Sequence, residues 1–129
     1  MKLLLDTQSL IWFDQDDSRL AARAKSLLES SENELWLSPA TYWEIAIKVS
    51  IGKLTLAAPF DEFMSRIVSQ NGLLVLPVLV KHCSALIELE YHHRDPFDRL
   101  LIAQAMTEGI PVVSSDEQFD AYPVTRLWS

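Results

Sequence analysis

Asp95-Pro96-Phe97-Asp98-Arg99-Leu100-Leu101-Ile102-Ala103-Gln104-Ala105-Met106-Thr107-Glu108-Gly109-Ile110-Pro111-Val112-Val113-Ser114-Ser115-Asp116 is the stretch whose reading decides the fold. Asp95 can cap a helix, and Pro96 suits the first helical position, where a missing N–H costs nothing. From Phe97 to about Glu108 the segment is apolar nearly all round (Leu100, Leu101, Ile102, Ala103, Ala105, Met106), which predicts a central, buried helix. Gly109 stops it, and Pro111 to Ser114 reads as a strand.

Short apolar runs and helical periodicities alternate outward from this stretch. Lys2 to Leu5 predicts a first strand, buried on both faces, and Glu34 to Leu37 a second. Ser18 can cap a helix with the stripe Leu20, Ala21, Ala24, Leu27 and Leu28. Pro39 opens a helix with Tyr42, Ile45, Ala46 and Val49 on one face, stopped near Gly52. Pro59 opens another, with Phe60, Phe63, Met64, Ile67 and Val68, stopped near Gly72. Leu73 to Leu76 predicts a third strand, and Cys83, Leu86, Ile87 and Tyr91 line the helix after it. Val124 to Trp128 reads as a short edge strand. Strands separated by helices pair in parallel. The expected fold is α/β: one domain over residues 1–129, a three-layer α/β/α sandwich around a parallel sheet of four to five strands.

Composition bounds the function. The 129 residues suit one domain, and 49% are hydrophobic, enough for a packed core. Cys83 is the single cysteine and has no internal disulfide partner, which fits a reducing cytoplasm. Leu3-Leu4-Leu5 is cut short by Asp6, unlike a signal peptide, and the apolar run Leu73 to Val80 is too short to span a bilayer. A cytoplasmic protein with no membrane association is expected. The formal net charge is −7, whereas nucleic-acid binding is usually driven by Lys and Arg. A nucleic-acid-binding role has to account for this charge, and one explanation is that part of the excess is a carboxylate cluster neutralised by bound metal. Asp14, Asp16, Asp17, Glu32, Glu34 and Glu117 can instead serve solubility.

Acidic residues fall where the expected fold would gather them. Ligands of an open parallel sheet bind beyond the carboxyl ends of its strands. Asp6 follows the first strand, Asp116 follows the fourth, Glu44 lies early in the helix after the second, and Asp95 and Asp98 open the buried helix. Grouped carboxylates repel one another unless a hard cation joins them, and Mg²⁺ or Mn²⁺ takes oxygen ligands and activates water for phosphodiester hydrolysis. Each acid also has a structural role open to it. Asp6, Asp95 and Asp116 can cap the helices that follow them, Asp98 suits a helix dipole, and Glu44 can pair with Lys48.

At these residues the chain resembles a known family. Leu3-Leu4-Leu5-Asp6-Thr7 with Leu10-Ile11-Trp12 resembles the opening of a PIN domain. Ser38-Pro39-Ala40-Thr41-Tyr42-Trp43-Glu44-Ile45-Ala46-Ile47-Lys48, followed by Gly52-Lys53-Leu54, is similar to the second motif of VapC-type toxins. His93-Arg94-Asp95-Pro96-Phe97-Asp98-Arg99-Leu100-Leu101-Ile102-Ala103-Gln104-Ala105 resembles the third and is the most specific; Ser114-Ser115-Asp116 matches the fourth. The resemblance covers the whole chain. It implies a PIN-like fold and an endoribonuclease using Mg²⁺ or Mn²⁺, with Asp6, Glu44, Asp98 and Asp116 as the acidic, metal-binding quartet. Asp95 would support them or cap the helix, with the cap slightly favoured. Thr7 and Ser114 would orient carboxylates or a metal-bound water, and Arg99 would contact phosphate or form a salt bridge. The resemblance further implies an RNA substrate, a homodimer, and an antitoxin partner that lays a segment across the toxin.

Other features point elsewhere or nowhere. His92 and His93 lack zinc-ligand spacing and read as exposed loop residues, with a role in supporting the metal-holding residues or in fixing the loop open to His93. Trp36 is expected in the core; Trp12 and Trp43 are expected near the site, against bases or in a partner groove. Arg19, Arg23 and Lys25 read as a solvated face; Lys48, Lys53, Arg94 and Arg99 are better placed for RNA backbone contacts. Two other functions fit an Asp after a first strand. An aspartyl-phosphate phosphohydrolase needs a second acid two residues on, where Gln8 stands. A non-catalytic metal-binding interaction domain would not need the whole quartet.

Overall fold

A computed structural model describes residues 1–129. Strands β1 (Lys2–Leu5), β2 (Glu34–Leu37), β3 (Leu74–Val75), β4 (Val112–Val113) and β5 (Arg126–Leu127) form one sheet, wholly parallel, in the order β3-β2-β1-β4-β5. The central strand is β1. Leu3, Leu4 and Leu5 are all fully buried, as a parallel strand covered on both faces requires. Their pleat divides them: Leu3 and Leu5 join Leu35, Leu37 and Val113 in one core, and Leu4 joins Val112 in the other.

Helices α1 (Thr7–Asp14), α2 (Ala22–Glu29), α3 (Pro39–Ser50) and α4 (Phe60–Gln70) fill the first core with Leu10, Ala24, Leu28, Ile45, Phe63, Met64 and Ile67. On the other face α6 (Pro96–Glu108) sets Leu101 and Ala105 against Leu4 and Val112, and α5 (Val80–Ile87) packs on α6. The result is the expected three-layer α/β/α sandwich. A short 3₁₀ helix, Glu117–Ala121, buries Phe119 against Ile102 and Ala103. The chain moves outward from β1 to β2 to β3, then returns to lay β4 on the other flank of β1. That reversal opens a crevice beyond the carboxyl ends of β1 and β4, where ligands of such sheets bind.

Several local expectations are corrected. Ser18 caps no helix: it lies in a turn in which the Asp17 carboxylate accepts from the Arg19 amide, and α2 starts at Ala22 behind an uncapped Ala21. The stripe expected of α5 is out of phase. Cys83, Ile87 and Tyr91 are exposed, the helix ends at Ile87, and its buried side chain is His82. His82 is tolerated there because Nδ1 accepts from the Leu79 amide and Nε2 meets the Glu108 carboxylate at 2.8 Å. Trp36 is only half-buried, with its Nε1 donating to Glu34 and the Lys2 ammonium over its ring. Strands three to five are shorter than expected, since only two residues of each pair in the ladder.

Candidate active site

Each acid reaches the crevice through a helix start. Asp6 leaves β1 and caps α1, its Oδ1 accepting from the Ser9 amide at 2.8 Å. Asp116 follows β4 and caps the 3₁₀ helix, its Oδ1 accepting from Gln118 at 2.9 Å. Asp95 caps α6, its Oδ1 accepting from the amides of Phe97 and Asp98. Asp98 lies one turn in, and Glu44 occupies the second turn of α3 behind the Ser38 cap and Pro39. The two carboxylate oxygens of Asp6 and of Asp116 therefore have different partners. Oδ1 completes the helix start while Oδ2 faces the site, where it meets Ser114 Oγ (from Asp6, 2.5 Å) or His93 Nε2 (from Asp116, 2.7 Å).

Neighbouring hydroxyls fix the carboxylates. Thr7 Oγ1 donates to Glu44 Oε1 at 2.6 Å and lies 3.3 Å from Thr41 Oγ1, which can donate to it in turn. Ser114 Oγ donates to Asp6 and accepts from the Asp116 amide at 3.0 Å, joining the ends of β1 and β4. Lys48 Nζ pairs with Glu44 Oε2 at 2.9 Å, the ion pair that the i,i+4 spacing allows.

Electrostatics report the convergence. Burial pushes Asp98 up to about 8, and the charges of Asp95, Asp6, Glu44 and Asp116 push in the same direction. Burial also raises Asp6, against hydrogen bonds from Ser114 and Ser9 that hold it down, and the Glu44 charge adds to the rise. Acids from distant parts of the sequence thus share one site, and one of them is driven towards its protonated form. A divalent cation removes that repulsion. The donors are carboxylate and hydroxyl oxygens, the set that suits Mg²⁺ or Mn²⁺, so the residues fit such an ion.

Three residues depart from expectation. Arg99 forms no salt bridge, and its guanidinium is taken up by backbone carbonyls. It is buried, its guanidinium donates to the carbonyls of Glu90, Leu86 and Leu89, and it lies 3.9 Å over the Tyr91 ring. The turn before α6 bends its carbonyls inward, and only a forked cation satisfies several of them at once. His93, expected in an exposed loop, is buried at the site: Nε2 lies 2.7 Å from Asp116 Oδ2 and 3.2 Å from Asp98 Oδ2. Its place in the third motif was the available signal. Thr41 was not singled out by sequence, and its hydroxyl stands beside Thr7. Of the aromatic candidates, Trp43 is 65% exposed and meets Phe97 edge-on at 5.3 Å, whereas Trp12 packs on Trp128.

Comparison with known proteins agrees with this geometry. The PIN domain family matches residues 3–124, and the chain belongs to that family, a family of nucleases. No curated protein sequence matches it. Solved structures share its fold at low identity. VapBC2 from Rickettsia felis bound to a promoter DNA fragment superposes with a TM-score of 0.75 at 16% identity, covering 100% of both chains. DNA-bound VapBC from Salmonella typhimurium gives 0.70 at 15%, covering 98% of this chain and 97% of that one. FitAcB from Neisseria gonorrhoeae gives 0.67 at 20%, covering 97% and 96%.

Proposed function

We propose that this protein is a divalent-metal-dependent endoribonuclease, the VapC-type toxin of a toxin–antitoxin pair. The observation that carries the reading is Asp98: a half-buried acid whose carboxyl feels the charges of Asp6, Glu44, Asp95 and Asp116, all beyond the carboxyl ends of the sheet strands. Asp6, Glu44, Asp98 and Asp116 would hold Mg²⁺ or Mn²⁺. When bound, the ion supplies a water of lowered pKa and positive charge beside the phosphate. The protein's own residues do the rest. Ser114 and Thr7 aim the Asp6 and Glu44 carboxylates, and the caps of α1 and of the 3₁₀ helix fix the other Asp6 and Asp116 oxygens. Lys48 balances Glu44 and offers a cation to the RNA backbone. Asp95 acts chiefly by holding the first turn of α6 so that Asp98 faces the site.

The regulatory reading rests on the solved relatives, several of which are VapBC complexes. The partner is a cognate antitoxin, the working form is a homodimer, and the compartment is the cytoplasm. No helix is long and apolar enough to cross a membrane. Phosphoryl transfer through Asp6 is less well supported, because Asp6 is buried and both its oxygens are hydrogen-bonded.

The test is cleavage of structured RNA by the purified chain, free of antitoxin, with Mn²⁺. Cleavage that EDTA and Asp6→Asn both abolish supports the reading. Equal activity of Asp98→Asn and wild type refutes the quartet, and a phosphate trapped on Asp6 from a phosphate donor refutes hydrolysis by this route.

A further inference from the structure

His93 stands where the turn before α6, the start of α6 and the end of β4 meet, and its ring nitrogens have different neighbours. Nδ1 receives the backbone N–H of Asp95 at 3.1 Å, so it accepts and carries no proton. The proton of the neutral ring is therefore on Nε2. That N–H faces two carboxylate oxygens of the site, Asp116 Oδ2 at 2.7 Å and Asp98 Oδ2 at 3.2 Å. The ring is held in place. It is buried, it packs against Phe119 at 5.9 Å, and its own amide donates to the Tyr122 hydroxyl at 2.9 Å. Tyr122 also accepts from the His92 amide and donates to the Glu90 carbonyl at 2.7 Å, so the turn carrying His93 is pinned from behind.

His93, Asp98 and Asp116 each place a ligand-capable atom within 4.8 Å of the others, a grouping that distance alone would assign to a cation with a histidine ligand. The tautomer argues otherwise. Coordination needs the Nε2 lone pair, and freeing it moves the proton to Nδ1, against the Asp95 N–H that opens α6.

We propose that His93 is a positioning residue and not a metal ligand: its Nε2–H ties the carboxylates of Asp98 and Asp116 together and sets the spacing at which they receive the cation. The proposal rests on the reading of Asp98 and Asp116 as metal-holding acids. It explains why a histidine without zinc-ligand spacing is buried at an oxygen-rich site. It also couples the cap of α6 to Asp116, because one ring touches both.

Calorimetric titration with Mn²⁺ tests it in wild type, His93→Gln, His93→Asn and His93→Ala, each checked by thermal melting. A glutamine amide reaches the Nε2 position and can donate there; an asparagine amide does not. His93→Gln should keep Mn²⁺ affinity within about three-fold, and His93→Asn and His93→Ala should lose about ten- to a hundred-fold, the usual cost of removing a residue that orients a ligand. Equal weakening in all three variants, or none in His93→Ala, overturns the proposal while leaving the nuclease reading intact. A wild type that takes up no Mn²⁺ overturns both. Long-range ¹H–¹⁵N spectra of wild type give a readout that no variant's folding affects. Nε2 should be protonated and Nδ1 bare before and after Mg²⁺ is added; loss of the Nε2 proton on adding Mg²⁺ would make His93 a ligand.

Discussion

Asp95 and Asp98 stand three positions apart in one motif and do different work. Asp95 holds two amides at the start of α6, a task that asparagine performs almost as well. Asp98 puts its carboxylate among the other acids, where its charge is what a cation needs. Asp98→Asn should therefore abolish RNA cleavage, while Asp95→Asn should lose at most about ten-fold, since it keeps the cap. Initial rates with Mn²⁺ check the ranking, and the reverse order would overturn it. Arg99 makes a contrasting case. Its forked bonds to carbonyls predict that Arg99→Lys lowers unfolding free energy by about 1–3 kcal/mol through unsatisfied buried carbonyls. The salt dependence of RNA binding should not change, because the guanidinium is buried and committed to backbone carbonyls. A reduced salt slope in Arg99→Lys would restore the phosphate role.

Helix ends are the elements that build the site, and their sequence signals differ in legibility. The cap of α6 was readable because Asp95-Pro96 combines a capping side chain with a proline at the first position, and the start of α3 was readable from Pro39 alone, with the Ser38 cap shown only by the structure. The start of α2 was not, because Asp17 organises the turn that Ser18 was expected to end. The phase of α5 was misjudged because hydrophobicity ranks Cys83 and Ile87 above His82, whereas tertiary hydrogen bonds to Leu79 and Glu108 make the histidine the buried residue. At the far end of α6, Gly109 adopts φ 67° with nothing within 4 Å of an added Cβ. Gly109→Ala should thus cost about 1 kcal/mol from the left-handed backbone alone, with no clash added. Denaturant unfolding measures it; a loss several times larger would show that the helix end is more tightly packed than the structure indicates.

For the whole molecule, the gathered acids lower stability as they ionise. Asp98 is raised to about 8 from an ordinary 3.8, so the folded state favours its protonated form. The sign follows: this contribution to stability is present below the ordinary carboxylate range and is lost as pH rises through about 8. In EDTA, the melting temperature of wild type relative to Asp98→Asn should fall between pH 4 and 8. Saturating Mn²⁺ should raise the wild-type melt and flatten that difference, because metal binding displaces the proton. A pH-independent difference in EDTA would show that Asp98 ionises normally. The net charge of −7 belongs to this scale too, since part of it sits in the acids that the cation would neutralise.

The sequence by itself determined the layers, the parallel sheet and the acids at its edge. Those depend on local periodicity, on caps and on where each strand ends, all of which are written in contiguous residues. Only the tertiary structure decided which oxygen of each acid serves a cap and which faces the crevice, that Arg99 turns to carbonyls, and that His93 joins Asp98 to Asp116. These outcomes depend on hydrogen-bond partners brought together from distant segments. A donor's choice among buried acceptors is set by distance in space, which spacing along the chain does not encode.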